Sequence, residues 1–230
     1  MTVADNRLLA ALPVRARTRL LGLCDPVYLP FGAVLGVRGQ PTLHVYFPHD
    51  CFISLVTAIE GEPGLEVGMV GNEGMLGAQL ALGVGRGLFD ASVQGAGTAS
   101  CLRAAAFRRE IAASDALRRG VHRYVYVLMA QFATSAACTR FHNVGARLAR
   151  CLLMSQDRAH SDSFRLTHEF LARMLGVRRV GITRAAGDLQ RGSLISYRRG
   201  EITVLDRAGL RHVACGCYDA DRRAYEQTMA

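Results

Sequence analysis

The residues best equipped for chemistry are arginines gathered near Leu166 to Ile195, a stretch that reads LTHEFLARMLGVRRVGITRAAGDLQRGSLI. Arg178, Arg179, Thr183 and Arg184 fall on one side of a helical wheel drawn through it. A guanidinium is a planar fork of donors that grips two acceptors at once, the O6/N7 edge of guanine or a pair of phosphate oxygens. Arg198 and Arg199 follow in SYRRGEITVL, where their charges would meet phosphates. The chemistry on offer is recognition of a polyanion with readable base edges, which is double-stranded DNA in its major groove.

Such side chains need a frame, and their neighbours supply one. Thr167 can cap a first helix whose Phe170, Leu171, Met174 and Leu175 recur at the spacing of one buried face, and Gly176 ends it. A second helix is expected from about Arg178 to Gln190, with Ile182, Ala185, Ala186 and Leu189 inward. Ser193-Leu194-Ile195 closes that helix. A hairpin then turns at Arg198-Arg199-Gly200-Glu201, with Ile202, Val204 and Leu205 on its return strand. Residues 166–206 thus read as a winged helix-turn-helix.

This block resembles the DNA-binding domain of the CRP/FNR superfamily of bacterial transcription regulators, and it aligns with that motif without gaps. The matching signs are the Leu166-Thr167 opening, the small Ala172, the turn at Gly176, Arg179, Arg184 five residues later, and Leu194-Ile195. Two positions depart. Val180 stands where a glutamate can follow the first arginine and accept from cytosine, and a valine offers only apolar contact, for instance to a thymine methyl. Arg178 replaces the usual serine, losing a cap and adding a charge. The resemblance implies that Arg179, Val180 and Arg184 approach base edges, while Thr167, Arg178, Arg198 and Arg199 hold phosphates. It also implies an α+β chain with three parts. Residues 1–114 would be an N-terminal, jelly-roll-like double-stranded β-roll, 115–141 a long central dimerisation helix, and 142–230 the winged helix-turn-helix domain.

Composition agrees. The chain has 230 residues, half of them apolar, enough to bury more than one core. Residues 140–230 carry sixteen arginines against nine acids, whereas 1–139 carry twelve against ten, so the basic excess sits with the helix pair. There is no lysine, a bias that codon usage in a GC-rich genome explains more simply than selection for guanidinium chemistry. No run approaches the length of a membrane span, and MTVADNRLLAALPVRARTRLL reads as an amphipathic helix rather than a leader. A cytoplasmic protein with no membrane partner is expected. No Gly-x-Ser-x-Gly elbow, phosphate loop or His-Glu-x-x-His helix is present, so no enzyme is expected.

The first hundred residues have the texture of β-structure. Gly32–Leu35, Leu43–Phe47, Phe52–Val56, Leu65–Val70 and Ala91–Gln94 are candidate strands, with breaks at 39–41, 48–50, 61–64 and 71–74. Cyclic-nucleotide binders of the resembled family pair a Gly-Glu-Leu-type turn with an Arg-Ser-Ala. Gly71–Gly77 is similar to the first, with Glu73 in place, but the second falls on Phe89-Asp90-Ala91. A phosphate would meet a phenyl ring and a carboxylate there, unless Arg86 swings in. Glu73, Arg86, Phe89 and Asp90 are the candidate effector pocket, and they argue against a cyclic nucleotide. The Thr-Ser pair that such binders place on the central helix falls on Phe132-Ala133, with Thr134-Ser135 two residues beyond.

That helix is expected over about 116–141, with Val121, Val125, Leu128 and Phe132 as a coiled-coil seam, and Leu117, Tyr124 and Val127 turned to the β-roll. A homodimer bound to a near-palindromic DNA site follows from the resemblance, its recognition helices about 34 Å apart. RNA polymerase is the further partner that an activator of this kind would contact. The seven cysteines form no framework, and none stands in a Cys-x-x-Cys, which argues against an iron–sulfur cluster. Cys215-Gly216-Cys217 reads as packing thiols rather than a metal site, and His44, His49 and Cys51 as an incidental scatter. No cofactor and no metal are expected. The competing reading is a ligand- or cyclic-nucleotide-binding sensor whose output is not DNA binding, and it leaves the recognition-helix and wing arginines without a common purpose.

Overall fold

A computed structural model describes residues 6–58, 60 and 64–230. The first five residues of the expected amphipathic helix, and most of the turn at 61–64, lie outside them. The chain divides into two compact units, Met1–Leu55 with Met69–Met129 and Tyr225–Ala230, and Val56–Gly68 with Ala130–Ala224.

In the first unit the N-terminal helix is two, α1 (Arg7–Ala10) and α2 (Val14–Leu21), because Pro13 cannot donate within a continuous helix. Seven strands follow, the end of β4 and most of β5 belonging to the second unit: β1 (Asp25–Leu29), β2 (Val34–Gly36), β3 (His44–Pro48), β4 (Phe52–Thr57), β5 (Leu65–Val70), β6 (Asp90–Gly95) and β7 (Gly97–Arg103). They form two sheets ordered β1-β7-β3 and β2-β6-β4-β5. The five expected strands are all present. β1 and β7 are additional and pair antiparallel from Asp25↔Cys101 to Leu29↔Gly97. Pro26 is tolerated because β1 is an edge strand. Next come α3 (Ala104–Ala113), not foreseen from sequence, and α4 (Asp115–Phe141), which matches the expected central helix.

The core of this unit joins Leu8, Leu20, Val45, Phe47, Met75, Phe107, Leu117, Val121 and Tyr124, among others. It corrects the expected seam. Val121 is 0% exposed within its own chain, and Val125 and Leu128 pack against the same cluster. A residue with no accessible surface cannot face a second chain. Leu117, Tyr124 and Val127 are buried as expected. The face of α4 left outside carries Tyr126 (61% exposed), Met129 (62%) and then Ala133, Ala136 and Ala137. Two apolar stripes share one helix, and Val121 of the expected seam belongs to the one turned inward.

In the second unit α5 (Val144–Ala159), capped by the Asn143 side chain, packs against three later helices, α6 (His168–Leu175), α7 (Arg179–Arg191) and α8 (Arg207–Val213). Strands β8 (Ser163–Arg165), β9 (Ile195–Arg198) and β10 (Glu201–Val204) form an antiparallel sheet ordered β8-β10-β9. α9 (Cys217–Met229) closes the chain. α5 buries Leu148 and Leu152 together with Arg147, Arg150 and Gln156. Both arginines find partners within the unit: Arg150 pairs with Asp221 at 2.6 Å and donates to the Ser135 hydroxyl at 3.3 Å, while Arg147 donates to the Leu175 carbonyl.

Candidate nucleic-acid interface

The helix pair is built by local rules. Thr167 has extended backbone and its Oγ1 accepts from the Phe170 amide at 3.2 Å, so α6 starts where a hydroxyl can satisfy an orphan donor. Gly176 ends it at φ 59°, in the left-handed region, with its amide donating back into the last turn. α7 begins after Arg178, which as anticipated makes no side-chain cap. Ile182, Ala185, Ala186 and Leu189 are its buried residues, the four that helical periodicity selects.

The opposite face is open. Arg178, Arg179, Val180, Thr183 and Arg184 are exposed, Val180 at 71%. The Arg178 and Arg184 side chains make no hydrogen bond or ion pair among the described residues; nor do those of Arg198 and Arg199, also exposed. These two stand on the β9–β10 hairpin, whose register pairs Arg198 with Glu201. Arg199 (φ 53°) and Gly200 (φ 83°) are the two central residues of the turn, and positive φ at both defines the type I′ geometry that suits a twisted two-residue hairpin. The wing therefore presents its arginines from a rigid tip.

One residue that sequence reasoning overlooked ties helices and wing together. The His168 ring stacks on Tyr197 of β9, with centroids 4.1 Å apart and planes 17° apart, and its Nδ1 lies 3.1 Å from the Thr183 hydroxyl of α7. Thr183 in turn donates to the Arg179 carbonyl. Burial, and then the nearby Arg179 charge, hold the His168 pKa below its ordinary value, so the ring is neutral near pH 7. Gln190 adds a second tie by accepting from the Tyr197 amide at 3.2 Å. No periodicity marks a histidine behind a capping threonine; only the fold brings it to the wing.

The proposed effector residues are engaged differently. The Glu73 carboxylate turns back to accept from the Gly71 amide at 3.2 Å, and the Glu73 carbonyl accepts from the Tyr225 hydroxyl. Arg86 donates to the Gly39 carbonyl at 2.7 Å, and Asp90 accepts from the Arg38 amide at 2.9 Å. Phe89 lies one residue before, at the entry to β6. In the second unit the Ser135 hydroxyl accepts from Arg150. His49 bonds Ser100 at 2.9 Å and the Cys51 thiol donates to the Thr98 carbonyl, while the His44 ring lies against Tyr46. Cys215 and Cys217, read from sequence as packing thiols, gather with Cys138 and His142.

Residues 146–213 match the family of Crp-like helix-turn-helix domains. This part of the chain is a Crp-like helix-turn-helix domain. It runs from the first turn of α5 through the wing to the end of α8. The chain is also similar in structure to a CRP-family transcriptional regulator from Thermus thermophilus, with 19% identity, 82% of this chain and 96% of that one covered, and TM-score 0.68. The c-di-GMP responsive global regulator CLP of Xanthomonas campestris follows at 16% identity, 84% and 99% coverage and TM-score 0.65. A second Thermus thermophilus regulator, of the CRP/FNR family, has 20% identity, 83% and 98% coverage and TM-score 0.55. At such identities the likeness is one of fold, and it extends beyond the Crp-like domain to the strands and long helix before it. A search of curated protein sequences gave no match. No helix among the described residues is long and apolar enough to cross a membrane.

Proposed function

We propose that this protein is a homodimeric, sequence-specific regulator of transcription that places α7 in the DNA major groove. One observation carries the reading: α7 turns Arg178, Arg179 and Arg184 outward, the side chains of Arg178 and Arg184 without a partner among the described residues, and two more unpartnered arginines stand on the wing hairpin. Arg179, Val180 and Arg184 read base edges. Arg178, Arg198 and Arg199 contact phosphates, joined by Thr167, whose hydroxyl still has a proton to donate after accepting from Phe170. Two chains pair through the exposed Tyr126, Met129, Ala133, Ala136 and Ala137 stripe of α4, whose small residues allow close approach and whose symmetry makes the site near-palindromic. The protein acts in the cytoplasm, performs no catalysis, and as an activator would contact RNA polymerase.

The β-roll works without the usual cyclic nucleotide. This is supported by the engagement of Glu73, Arg86 and Asp90 with neighbouring backbone, and of Ser135 with Arg150. The test is selection of bound duplexes from a random pool, with and without cyclic AMP or cyclic GMP. An enriched palindrome in the absence of nucleotide is expected, and Arg184→Ala should relax one base position within each half-site. Absence of enrichment under every condition would refute the DNA reading, and enrichment only with nucleotide would refute the reading of the β-roll.

A further inference from the structure

Four side chains with metal-ligand chemistry converge in the second unit, outside the DNA-facing surface. Cys138 lies in the last turn of α4 and His142 is the first residue past its end, its amide still donating to the Cys138 carbonyl at 3.2 Å, so the two stay on one side of the chain. Cys215 and Cys217 lie between α8 and α9, Cys217 being the first residue of α9. One ligand atom from each of the four lies within 4.8 Å of all the others. Cys138 Sγ is 3.5 Å from Cys215 Sγ, and Cys217 Sγ is 3.6 Å from His142 Nδ1.

We propose that Cys138, His142, Cys215 and Cys217 bind one zinc ion in a tetrahedral three-sulfur, one-nitrogen site.

The geometry favours a single ion. Zinc bonds of about 2.3 Å to sulfur and about 2.0–2.1 Å to nitrogen give tetrahedral edges of about 3.8 Å between sulfurs and about 3.6 Å between sulfur and nitrogen. The two observed separations match these within a few tenths of an ångström. An iron–sulfur cluster distributes its protein ligands over several irons and needs them farther apart. A Cys138–Cys215 disulfide would need the sulfurs to close to about 2.05 Å, and it would leave Cys217 and His142 unexplained. Donor chemistry points the same way, because soft thiolates with one imidazole select zinc over magnesium or calcium.

The surroundings fit a charged centre better than an apolar core. The three sulfurs are buried together, with Ala146 the partly buried apolar residue packed on them, and His142 is the ligand most open to solvent. Arg147 and Arg150 lie close enough to Cys138 and Cys215 to stabilise their thiolates. Three thiolates on a divalent ion leave one negative charge, which this arginine pair can balance.

The placement also suggests what the ion does. Cys138 and Cys215 are 77 residues apart in sequence, and the Crp-like domain, 146–213, lies wholly between the two ligand pairs. A bound ion would cross-link the two ends of that domain, restricting its unfolded ensemble as any closure of a long loop does.

The test uses the full chain, purified with a thiol reductant and without added metal. Elemental analysis should find one zinc per chain. After removal of zinc by a chelator, Co(II) should produce the visible bands of a tetrahedral thiolate complex, and added zinc should bleach them. Cys217→Ser should lose the bands, and His142→Ala, which alters the most exposed ligand, should shift them while the protein stays folded by circular dichroism. Failure of the metal-free protein to bind Co(II) would overturn the proposal, as would bands unchanged in both variants. Iron with inorganic sulfide, or a metal-free protein two hydrogens lighter because Cys138 and Cys215 are joined, would overturn it equally. Each of these readouts is the metal or the thiols, so failure here leaves the DNA reading intact.

Discussion

Replacing Arg199 by asparagine separates the charge of the wing from its shape. Arg199 sits at φ 53° in front of Gly200, so Arg199→Asn creates Asn-Gly, the favoured pair for this turn, in a region that asparagine visits at low cost. Stability should change by no more than about 0.5 kcal/mol, as for other exposed substitutions that add no strain. DNA binding should change far more. Arg178, Arg198 and Arg199 give three cationic phosphate contacts per protomer and six per dimer, for which counterion release predicts a log–log salt slope near about −5.4. Losing one per protomer brings it to about −3.6. Between 50 and 200 mM salt the parent should weaken about a thousandfold and the variant only about a hundredfold. Fluorescence anisotropy on one selected duplex and on a scrambled one measures both slopes, and the loss should be the same on each, because phosphates carry no sequence. An unchanged slope in a variant that melts like the parent would show that the wing does not touch DNA.

Gly74→Ala would bring a methyl group to 1.9 Å from the Tyr124 ring in the core, and should destabilise the chain by about 1–3 kcal/mol, read as a lower melting temperature. The two stripes of α4 should respond oppositely: Met129→Asp should dissociate the dimer in sedimentation with little loss of monomer stability. Val121→Ala should cost about 2 kcal/mol of stability and leave association unchanged. Because the folded-state pKa of His168 lies below its unfolded value of 6.5, the neutral ring contributes stability above that pH that is lost as pH falls through the folded value. His168→Phe, which keeps a ring against Tyr197, should flatten that part of the stability–pH curve, and an unchanged curve would assign the dependence elsewhere.

The elements legible in the sequence are those whose burial pattern is local. α7 could be placed nearly to the residue because Ile182, Ala185, Ala186 and Leu189 repeat at helical spacing beneath an arginine face, and the wing because Arg199-Gly200 separates two β-prone runs. β7 escaped because GTASCLR has few of the β-branched and aromatic residues that mark a strand, although it is the central strand of its sheet and pairs with both β1 and β3. α3 was hidden by an alanine-rich segment with little polar contrast. In α4 the existence of the helix was readable and the use of its faces was not. A seam of three-four spacing fits either stripe, and only the position of the β-roll decides that Val121 points inward. The same holds for the site. The arginines could be named from sequence, whereas the His168–Tyr197 stack and the four metal-ligand side chains depend on residues brought together from distant parts of the chain.

Three demands on α4 bear on how the protein could be controlled. Leu117, Val121 and Tyr124 commit one face to the core of the first unit, while Tyr126 and Met129 leave another exposed. Toward its C-terminal end Ser135 accepts from Arg150, which pairs with Asp221, and Cys138 with the adjoining His142 faces Cys215 and Cys217. The Ser135 hydroxyl is thus spent within this unit, on a pair of charges that is costly to leave half-satisfied. A ligand arriving at Ser135 would have to replace that bond before gaining any of its own. The thiols at the end of the helix carry no such opposing term, because oxidation or metal exchange acts on the ligand atoms directly. Control through α4 is therefore more easily imposed at its cysteine end than at its hydroxyls, and the metal content of the purified protein is the quantity on which that argument turns.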